Sequence, residues 1–298
     1  MRRDYGRGKS NSGRSGWWLV ATVLILLILV FGWLVFEKGR SKWGENRFYI
    51  TAVVEDEWIR VVGVNSMVKR AVEVVIPGEV MVPLVGTQGE LKVKSLWRFG
   101  ESEGRPEEVV RRSLESWMGV KIDAVWRGDA AFEWSRVWSG MAESKWDSFS
   151  TVKAWNELRD DQRESLRIPS RLTSMKVTPD GQTEVSVDKG GLWAWMEGLW
   201  ASPAILAESL SFEVINASGE PGMARLVEQM IKSAGGVVVL VDTAEVEDGL
   251  CWYESGGESE SVSIDWLERQ MGCGERTGNR VGGDVRVVIG KEWAERYK

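Results

Sequence analysis

Histidine is missing altogether from the 298 residues, and cysteine occurs only twice. Without an imidazole there is no Ser-His-Asp or Cys-His nucleophile, no histidine general base and no histidine metal ligand. Two cysteines cannot build a four-cysteine zinc or iron–sulfur site. Basic charge is short as well. With 38 Lys and Arg against 44 Asp and Glu the net charge is −6, which argues against a nucleic-acid-binding surface spread over the whole chain. Any catalysis has to run on carboxylates, Lys, Arg, Ser or Tyr. What remains is ordinary, 43% apolar and 28% charged, and long enough for one large or two medium domains.

The averages hide a division. Trp17 to Phe36, WWLVATVLILLILVFGWLVF, is a run of 20 residues without a charge, which as a helix spans about 30 Å, the thickness of bilayer hydrocarbon. Trp17, Trp18, Trp33 and Phe36 stand where interfacial aromatic belts are expected. A cleaved signal peptide is the competing reading. The run exceeds a usual signal core, and Glu37-Lys38-Gly39-Arg40 offers no small-residue cleavage site. Arg2, Arg3, Arg7, Lys9 and Arg14 against Asp4 make residues 1–16 a basic, Gly/Ser-rich tail, which places the N-terminus in the cytoplasm. Beyond Phe36 there are 33 basic and 43 acidic residues, so the part expected outside carries about −10.

Residues 37–47 read as a polar connector. Phe48–Val54, Ile59–Val64 and Ala71–Ile76 read as strands, the first two joined by the acidic turn Glu55-Asp56-Glu57. A helix is predicted between Arg105 and Met118, with Pro106 at its first position, Glu107 and Glu108 at the positive end of its dipole and Gly119 as its stop. Ile122–Trp126 is a short strand. Helical spacing of apolar residues continues across 130–160 and includes Trp138, Trp146 and Trp155. Residues 160–181 read as a polar loop with one strand at Met175–Val177, followed by a strand at Thr183–Val187 and helical pieces at Leu192–Trp200 and Pro203–Leu210.

The last ninety residues are the most regular. Strand Phe212–Asn216, helix Met223–Ala234, strands Val237–Val241 and Leu250–Tyr253, helix Ile264–Met271 and strand Val285–Ile289 give the order β-α-β-β-α-β, a natural unit for a small sheet with two helices. The expected fold class is therefore α/β (α+β): a transmembrane helix over 17–36, a mixed-sheet domain over 48–205, a small C-terminal domain over 211–290 and a tail over 291–298.

Within FEVINASGEPGMARLVEQMIKSAGGVVVLVD the residues Val214, Asn216, Ser218, Gly219, Gly222, Ala224, Gly236 and Val239 follow a pattern that resembles the LytR C-terminal domain, and Asp284 to Gly290 is similar to that domain's closing strand. Two readings of Asn216, Ser218 and Gly219 stay open. They form an anion cradle at a helix N-terminus, or a tight turn in which Asn216 bonds to backbone. Upstream, VVIPGEVMVPL (Val74 to Leu84) and EEVVRRSLESWMGVKIDAVWRGD (Glu107 to Asp129) resemble the LytR-CpsA-Psr family. That resemblance implies a membrane-anchored transferase that moves polyprenyl-pyrophosphate-linked glycopolymer onto peptidoglycan or surface protein, using Arg, Asp and Mg²⁺. The family's Ile-Pro-Arg-Asp stands here as Ile76-Pro77-Gly78-Glu79, and its Arg-x-Asp-Thr has no counterpart in Tyr49 to Val64. Arg159, Asp160, Asp161 and Arg163 supply similar residue types without the family's motif. A missing guanidinium removes bidentate donors to phosphate, so no catalytic residue is carried over.

Cys251 and Cys273 are disulfide candidates in an oxidising exterior, closing a loop for about 3 kcal/mol; two separate buried thiols are the alternative. Fifteen of the 18 Trp lie outside the apolar run. Most are expected in cores, while Trp193, Trp195 and Trp200 in WAWMEGLW are candidates for an exposed patch that stacks on sugar rings. The acidic stretches 55–57 and 245–248 read as solvated loops, with no metal site. The expectation is a single-pass cell-membrane protein with an extracytoplasmic, non-catalytic ectodomain and no cofactor, which binds or organises peptidoglycan, envelope glycopolymer or envelope proteins and no nucleic acid. The alternatives are an active glycopolymer transferase using Mg²⁺ and Glu79 with Arg98 or Arg127, and a structural scaffold without a glycan ligand.

Overall fold

The structure, a computed structural model, describes Leu26 and residues 48–65, 67–86, 89–128, 158–256, 261–278 and 282–297. The chain divides into two units, Met1–Lys42 and Trp43–Lys298, and the elements that follow belong to the second. Among the described residues no helix is long and apolar enough to cross a membrane. The apolar run 17–36 lies outside them apart from Leu26, and so does most of the helical stretch expected across 130–160.

Three β-branched segments make an antiparallel meander: β1 (Tyr49–Val54), β2 (Trp58–Asn65) and β3 (Arg70–Pro77), with Tyr49 opposite Val64 and Trp58 opposite Pro77. Asn65 Oδ1 closes the second turn by accepting the amides of Met67 and Val68 at 3.0 and 3.2 Å, the local bonding that favours Asn in turns. A short ribbon of β4 (Met81–Pro83) and β5 (Glu90–Lys92) leads to α1 (Leu96–Ser102) and α2 (Pro106–Met118). Strand β6 (Ala124–Arg127) then adds parallel to β1, and β7 (Arg163–Arg167) parallel to β3, giving the sheet order β6-β1-β2-β3-β7. A hairpin of β8 (Thr173–Val177) and β9 (Thr183–Val187) is followed by α3 (Lys189–Met196) and α4 (Pro203–Glu208).

Helix α2 begins and ends as its residues dictate. Pro106 occupies the first turn with Glu107 and Glu108, and Gly119 closes the helix in the left-handed conformation at φ 68°, donating its amide to Glu115 O. Val109, Val110, Leu114, Trp117 and Met118 are buried with Ile59, Ile76, Leu96, Leu192 and Met196 in one apolar core.

The C-terminal part has its own core and a mixed five-stranded sheet. In chain order it contains β10 (Ser211–Asn216), α5 (Met223–Ala234), β11 (Val237–Thr243), β12 (Cys251–Ser255), α6 (Val262–Trp266) extended by a π-type turn Leu267–Met271, β13 (Gly274–Glu275), β14 (Val285–Ile289) and α7 (Lys291–Ala294). The sheet runs β11-β10-β14-β12-β13, parallel on both sides of β10 and antiparallel between β14 and β12. Buried Leu226, Val227, Met230 and Ile231 of α5 join Phe212, Val214, Val287 and Ile289 in the second core. Cys251 and Cys273 are bonded, with Cα atoms 4.4 Å apart, and tie β12 to the segment that enters β13.

Two sequence expectations change. The polar stretch 160–181 contains two strands, because β7 (RESLR) is an edge strand whose side chains are mostly solvated, so it needs little apolar residue to pair. Of residues 291–298, expected as a tail, 291–297 form α7 and a 3₁₀ turn through Tyr297, with Trp293 1% and Tyr297 6% exposed.

That last turn reaches back to α2. Glu115 is fully buried and accepts from Lys121 Nζ at 2.9 Å, Tyr297 Oη at 2.8 Å and the Ile122 amide at 3.0 Å. Lys121 also donates to Tyr297 Oη at 3.0 Å, and the Arg112 guanidinium lies 5.1 Å from the Tyr297 ring centre. Burial pushes the Glu115 carboxyl up, but the Lys121 charge and the donated hydrogen bonds outweigh it, and the net shift is down. For Lys121 burial acts downward, and Glu115 more than reverses it, leaving the ammonium raised. The Tyr297 phenol is raised by burial and by Glu115. The cluster is thus held as a carboxylate, an ammonium and a neutral phenol.

Candidate functional site

Three places carry the residues that sequence reasoning singled out. The first is the turn after β10. Asn216 Nδ2 donates to Glu220 O at 2.9 Å, while Asn216 Oδ1 accepts the Ser218 amide at 3.1 Å and the Ser218 hydroxyl at 2.6 Å. Ser218 Oγ in turn accepts the Glu220 amide at 3.1 Å. Asn216 and Ser218 are 6% and 3% exposed, and Gly219 takes φ 77°. The polar groups of Asn216 and Ser218 are therefore occupied within the turn, and of the two readings left open the geometry matches the tight turn. Helix α5 starts at Gly222 without a side-chain cap.

The second place is the Trp-rich segment, and here an expectation is corrected. Trp200 is 2% exposed, its indole N–H donates to Val72 O at 3.1 Å, and its ring sits against Gly63, where a Cβ would come within 2.4 Å of it. A flat indole pressed onto a bare stretch of β2 has no face left for a sugar ring. Trp195 packs against the first core and Trp193 against the second. Trp193 also donates to Trp117 O at 2.9 Å and carries the Lys189 ammonium 4.8 Å from its ring centre. The three indoles do not form one exposed platform.

The third is the segment Ile76-Pro77-Gly78-Glu79. The Gly78 amide donates to Glu57 O at 2.8 Å, and a Cβ built on Gly78 would lie 2.6 Å from that same oxygen and 2.9 Å from Lys94 Cβ. Backbone therefore fills the space where a side chain at this position would begin. Glu79 pairs with Lys94 and, at 3.3 Å, with Lys92. The Lys94 hydrogen bond leads in holding the Glu79 carboxyl below its usual range, and Lys94 is raised by the same contact. A carboxylate lowered in this way is a weak base at neutral pH. Among the described residues Arg127 pairs with Glu101 at 2.7 Å rather than with Glu79, and Arg98 is exposed on α1. Arg159 pairs with Asp161 at 2.7 Å on the surface, and Arg163 donates to Leu158 O.

No group of three or more Asp, Glu, Cys or His residues able to hold a metal ion occurs among the described residues. Between the two cores lies a cleft of about 30 Å³ lined by Ile50, Lys121, Asp123, Trp200, Ser233 and Gln270 among others, room for about two waters. The buried Glu115, Lys121 and Tyr297 cluster was missed from sequence. No local signal marks it, since Glu115 and Tyr297 are 182 positions apart.

Comparison with known proteins assigns the C-terminal part. Residues 209–293 match the family model described as LytR cell envelope-related transcriptional attenuator. This is a LytR C-terminal domain. In the structure, the LytR C-terminal domain comprises β10 through α7, including the disulfide and the Asn216 turn. Solved structures similar to the chain include TagU of B. subtilis, 10% identical with a TM-score of 0.34, covering 50% of this chain and 94% of that one. Another is the LytR-CPS2A-psr family protein YwtF (TagT) with bound octaprenyl pyrophosphate lipid, 9% identical with a TM-score of 0.35, covering 53% and 91%. A third is TagT bound to LIIa-WTA, 9% identical with a TM-score of 0.33, covering 51% and 89%. At these scores the likeness is partial and carries no function across. No curated protein matches the chain.

Proposed function

We propose that the protein is a single-pass membrane protein of the cell envelope, with its N-terminus in the cytoplasm and its folded part outside. In this role it binds or organises envelope glycopolymer, peptidoglycan or the machinery that assembles them, without transferring polymer itself. The observation that carries the reading is the LytR C-terminal domain at 209–293, whose family description is cell envelope-related. The charge-free run 17–36, with five basic residues before it, supports the anchor and its orientation. The Cys251–Cys273 bond suits an oxidising compartment. The non-catalytic part of the reading is supported at Gly78, where Glu57 backbone stands in the way of a phosphate-binding side chain, and at Glu79, which is engaged with two lysines.

The test uses the full chain in membranes. Fractionation with protease added from outside is expected to leave a short N-terminal fragment protected, and the solubilised chain is expected to co-sediment with purified sacculi or envelope glycopolymer. Failure to bind glycan, peptidoglycan and envelope proteins alike would sink the binding role. Mg²⁺-dependent release of phosphate or pyrophosphate from a polyprenyl-pyrophosphate-linked glycan, lost in Glu79→Gln, would replace the non-catalytic reading with a transferase.

A further inference from the structure

Three arginines converge where α2 meets the last turn of the chain. Arg111 and Arg112 precede the buried Glu115 by four and three residues, so all three lie on one face of α2. Arg296 adjoins Tyr297, whose hydroxyl donates to Glu115 at 2.8 Å. The Arg296 guanidinium lies beside the turn that ends at Gly272, where a Cβ would stand 3.5 Å from its Nη1. Arg112 is 5.1 Å from the Tyr297 ring centre, and its Nη1 is 3.7 Å from Glu115, too far for a hydrogen bond. Its Nε is buried and meets no acceptor. Arg111 and Arg296 are half-buried and, among the described residues, have no hydrogen bond or ion pair.

With Lys121 the junction gathers four cations around one carboxylate, and Lys121 already neutralises that carboxylate at 2.9 Å. Glu107, Glu108, Glu292 and Glu295 stand within about one helical turn of the arginines along the chain, yet all four are exposed and, among the described residues, pair with none of them. The arginines repel one another. Burial first, and then Arg112 and Arg111, hold the Arg296 guanidinium below its usual range. Such an arrangement costs the folded chain stability, and an anion bound there offsets the cost. We propose that Arg111, Arg112 and Arg296 form a binding site for a phosphoryl group, supplied as inorganic phosphate or as a terminal phosphate on a sugar or a lipid. A carboxylate offers two oxygens and a single charge to three guanidiniums. A terminal phosphoryl group offers three strong acceptor oxygens and about −1.5 to −2 charges at neutral pH, one oxygen for each arginine, and guanidinium forks match phosphate geometry. Arg296 lies beyond the matched stretch 209–293, while Arg111 and Arg112 belong to the helix of the first core. The site therefore exists only where the two parts of the chain join, and a bound phosphate bridges them. The site rests on the folded part alone; that its phosphate comes from the envelope rests on the location proposed above.

The test titrates inorganic phosphate into the full chain in non-ionic detergent at low salt, followed by calorimetry and by the urea unfolding midpoint. Phosphate in the low millimolar range is expected to bind and to raise the midpoint by mass action, and acetate at the same concentration to leave it unchanged. Arg111→Gln and Arg296→Gln are each expected to weaken phosphate binding about tenfold, the effect of one lost charge-assisted hydrogen bond. Neither breaks a contact among the described residues, so without phosphate their midpoints are expected at or above that of the native chain. Tighter binding of glucose 1-phosphate than of inorganic phosphate assigns the site to a sugar phosphate, and tighter binding of a short-chain phosphatidic acid assigns it to a lipid headgroup. Preference for neither assigns it to free phosphate. A chain that binds no phosphate overturns the proposal, as does binding indifferent to both glutamines or an equal response to acetate. Phosphate binding by a chain that fails to co-sediment with sacculi supports this site and counts against the binding role proposed above, so the two fail separately.

Discussion

Replacing Glu115 with Leu tests the buried contact between α2 and the C-terminal turn. The carboxylate has no exposed surface and satisfies Lys121, Tyr297 and the Ile122 amide. Without it the Lys121 ammonium, 12% exposed, keeps only the Tyr297 hydroxyl as acceptor among the contacts described above. Removing one partner of a buried ion pair costs about 3–5 kcal/mol, whereas replacing both with apolar residues of similar volume is near neutral. Glu115→Leu combined with Lys121→Met is therefore expected to be at least ~2 kcal/mol more stable than Glu115→Leu alone. Urea unfolding followed by tryptophan fluorescence reads both, since Trp293 and Trp117 are buried on the two sides of the contact. A single substitution costing less than about 1 kcal/mol, or a double variant costing the sum of its two singles, would refute the reasoning. The pH dependence follows from the directions of the shifts. Glu115, lowered from 4.5, contributes stability that is complete above that value and is lost as pH falls through the depressed folded one. Lys121, raised from 10.5, and Tyr297, raised from 10.0, contribute stability that is complete below those values and is lost as pH climbs through the raised ones. Glu115→Gln is expected to remove the acid limb that belongs to this group.

Three further outcomes can be checked on the same material. Cys251→Ala with Cys273→Ala, or the native chain under reductant, is expected to lose about 3 kcal/mol in unfolding free energy from the opened 22-residue separation. Gly78→Arg is expected to cost about 1–3 kcal/mol through collision with Glu57 backbone and to bring no polymer-transfer activity. Trp200→Ala is expected to cost about 3–5 kcal/mol in unfolding free energy, as for other buried Trp, whereas Trp58→Ala, at a position 46% exposed, is expected to change stability by less than ~1 kcal/mol.

Much of the fold is written in short-range signals. The first three strands carry β-branched runs, α2 carries its proline and glycine at the two ends, and the C-terminal domain alternates apolar runs with glycine turns. Position 200 was misread because the residue that buries its indole is Gly63, 137 positions earlier, and nothing in WAWMEGLW points to it. Strand β7 was missed because polar edge strands lack the alternation that marks half-buried ones. Residues 90–102, which form β5 and α1, gave too few periodic positions to be read. For the candidate site, the glycine at position 78 was legible, but what surrounds it was not, because its close neighbour is the Glu57 carbonyl in the turn between β1 and β2. The partners of Asn216 were within four residues, and the turn was accordingly one of the two readings that sequence offered.

The order in which the chain is made gives the Tyr297 contact another meaning. Glu115 and Lys121 are synthesised 182 and 176 positions ahead of the phenol that covers them, an interval of about 10–35 s at 5–20 residues per second. During that time the end of α2 can form, but its buried ion pair has no lid. The Glu115–Lys121 pair is therefore covered only once Tyr297 has emerged, and this closure is a non-local step of the kind that slows folding. Removal of Tyr297 would be felt first at the end of α2, far along the chain from the break.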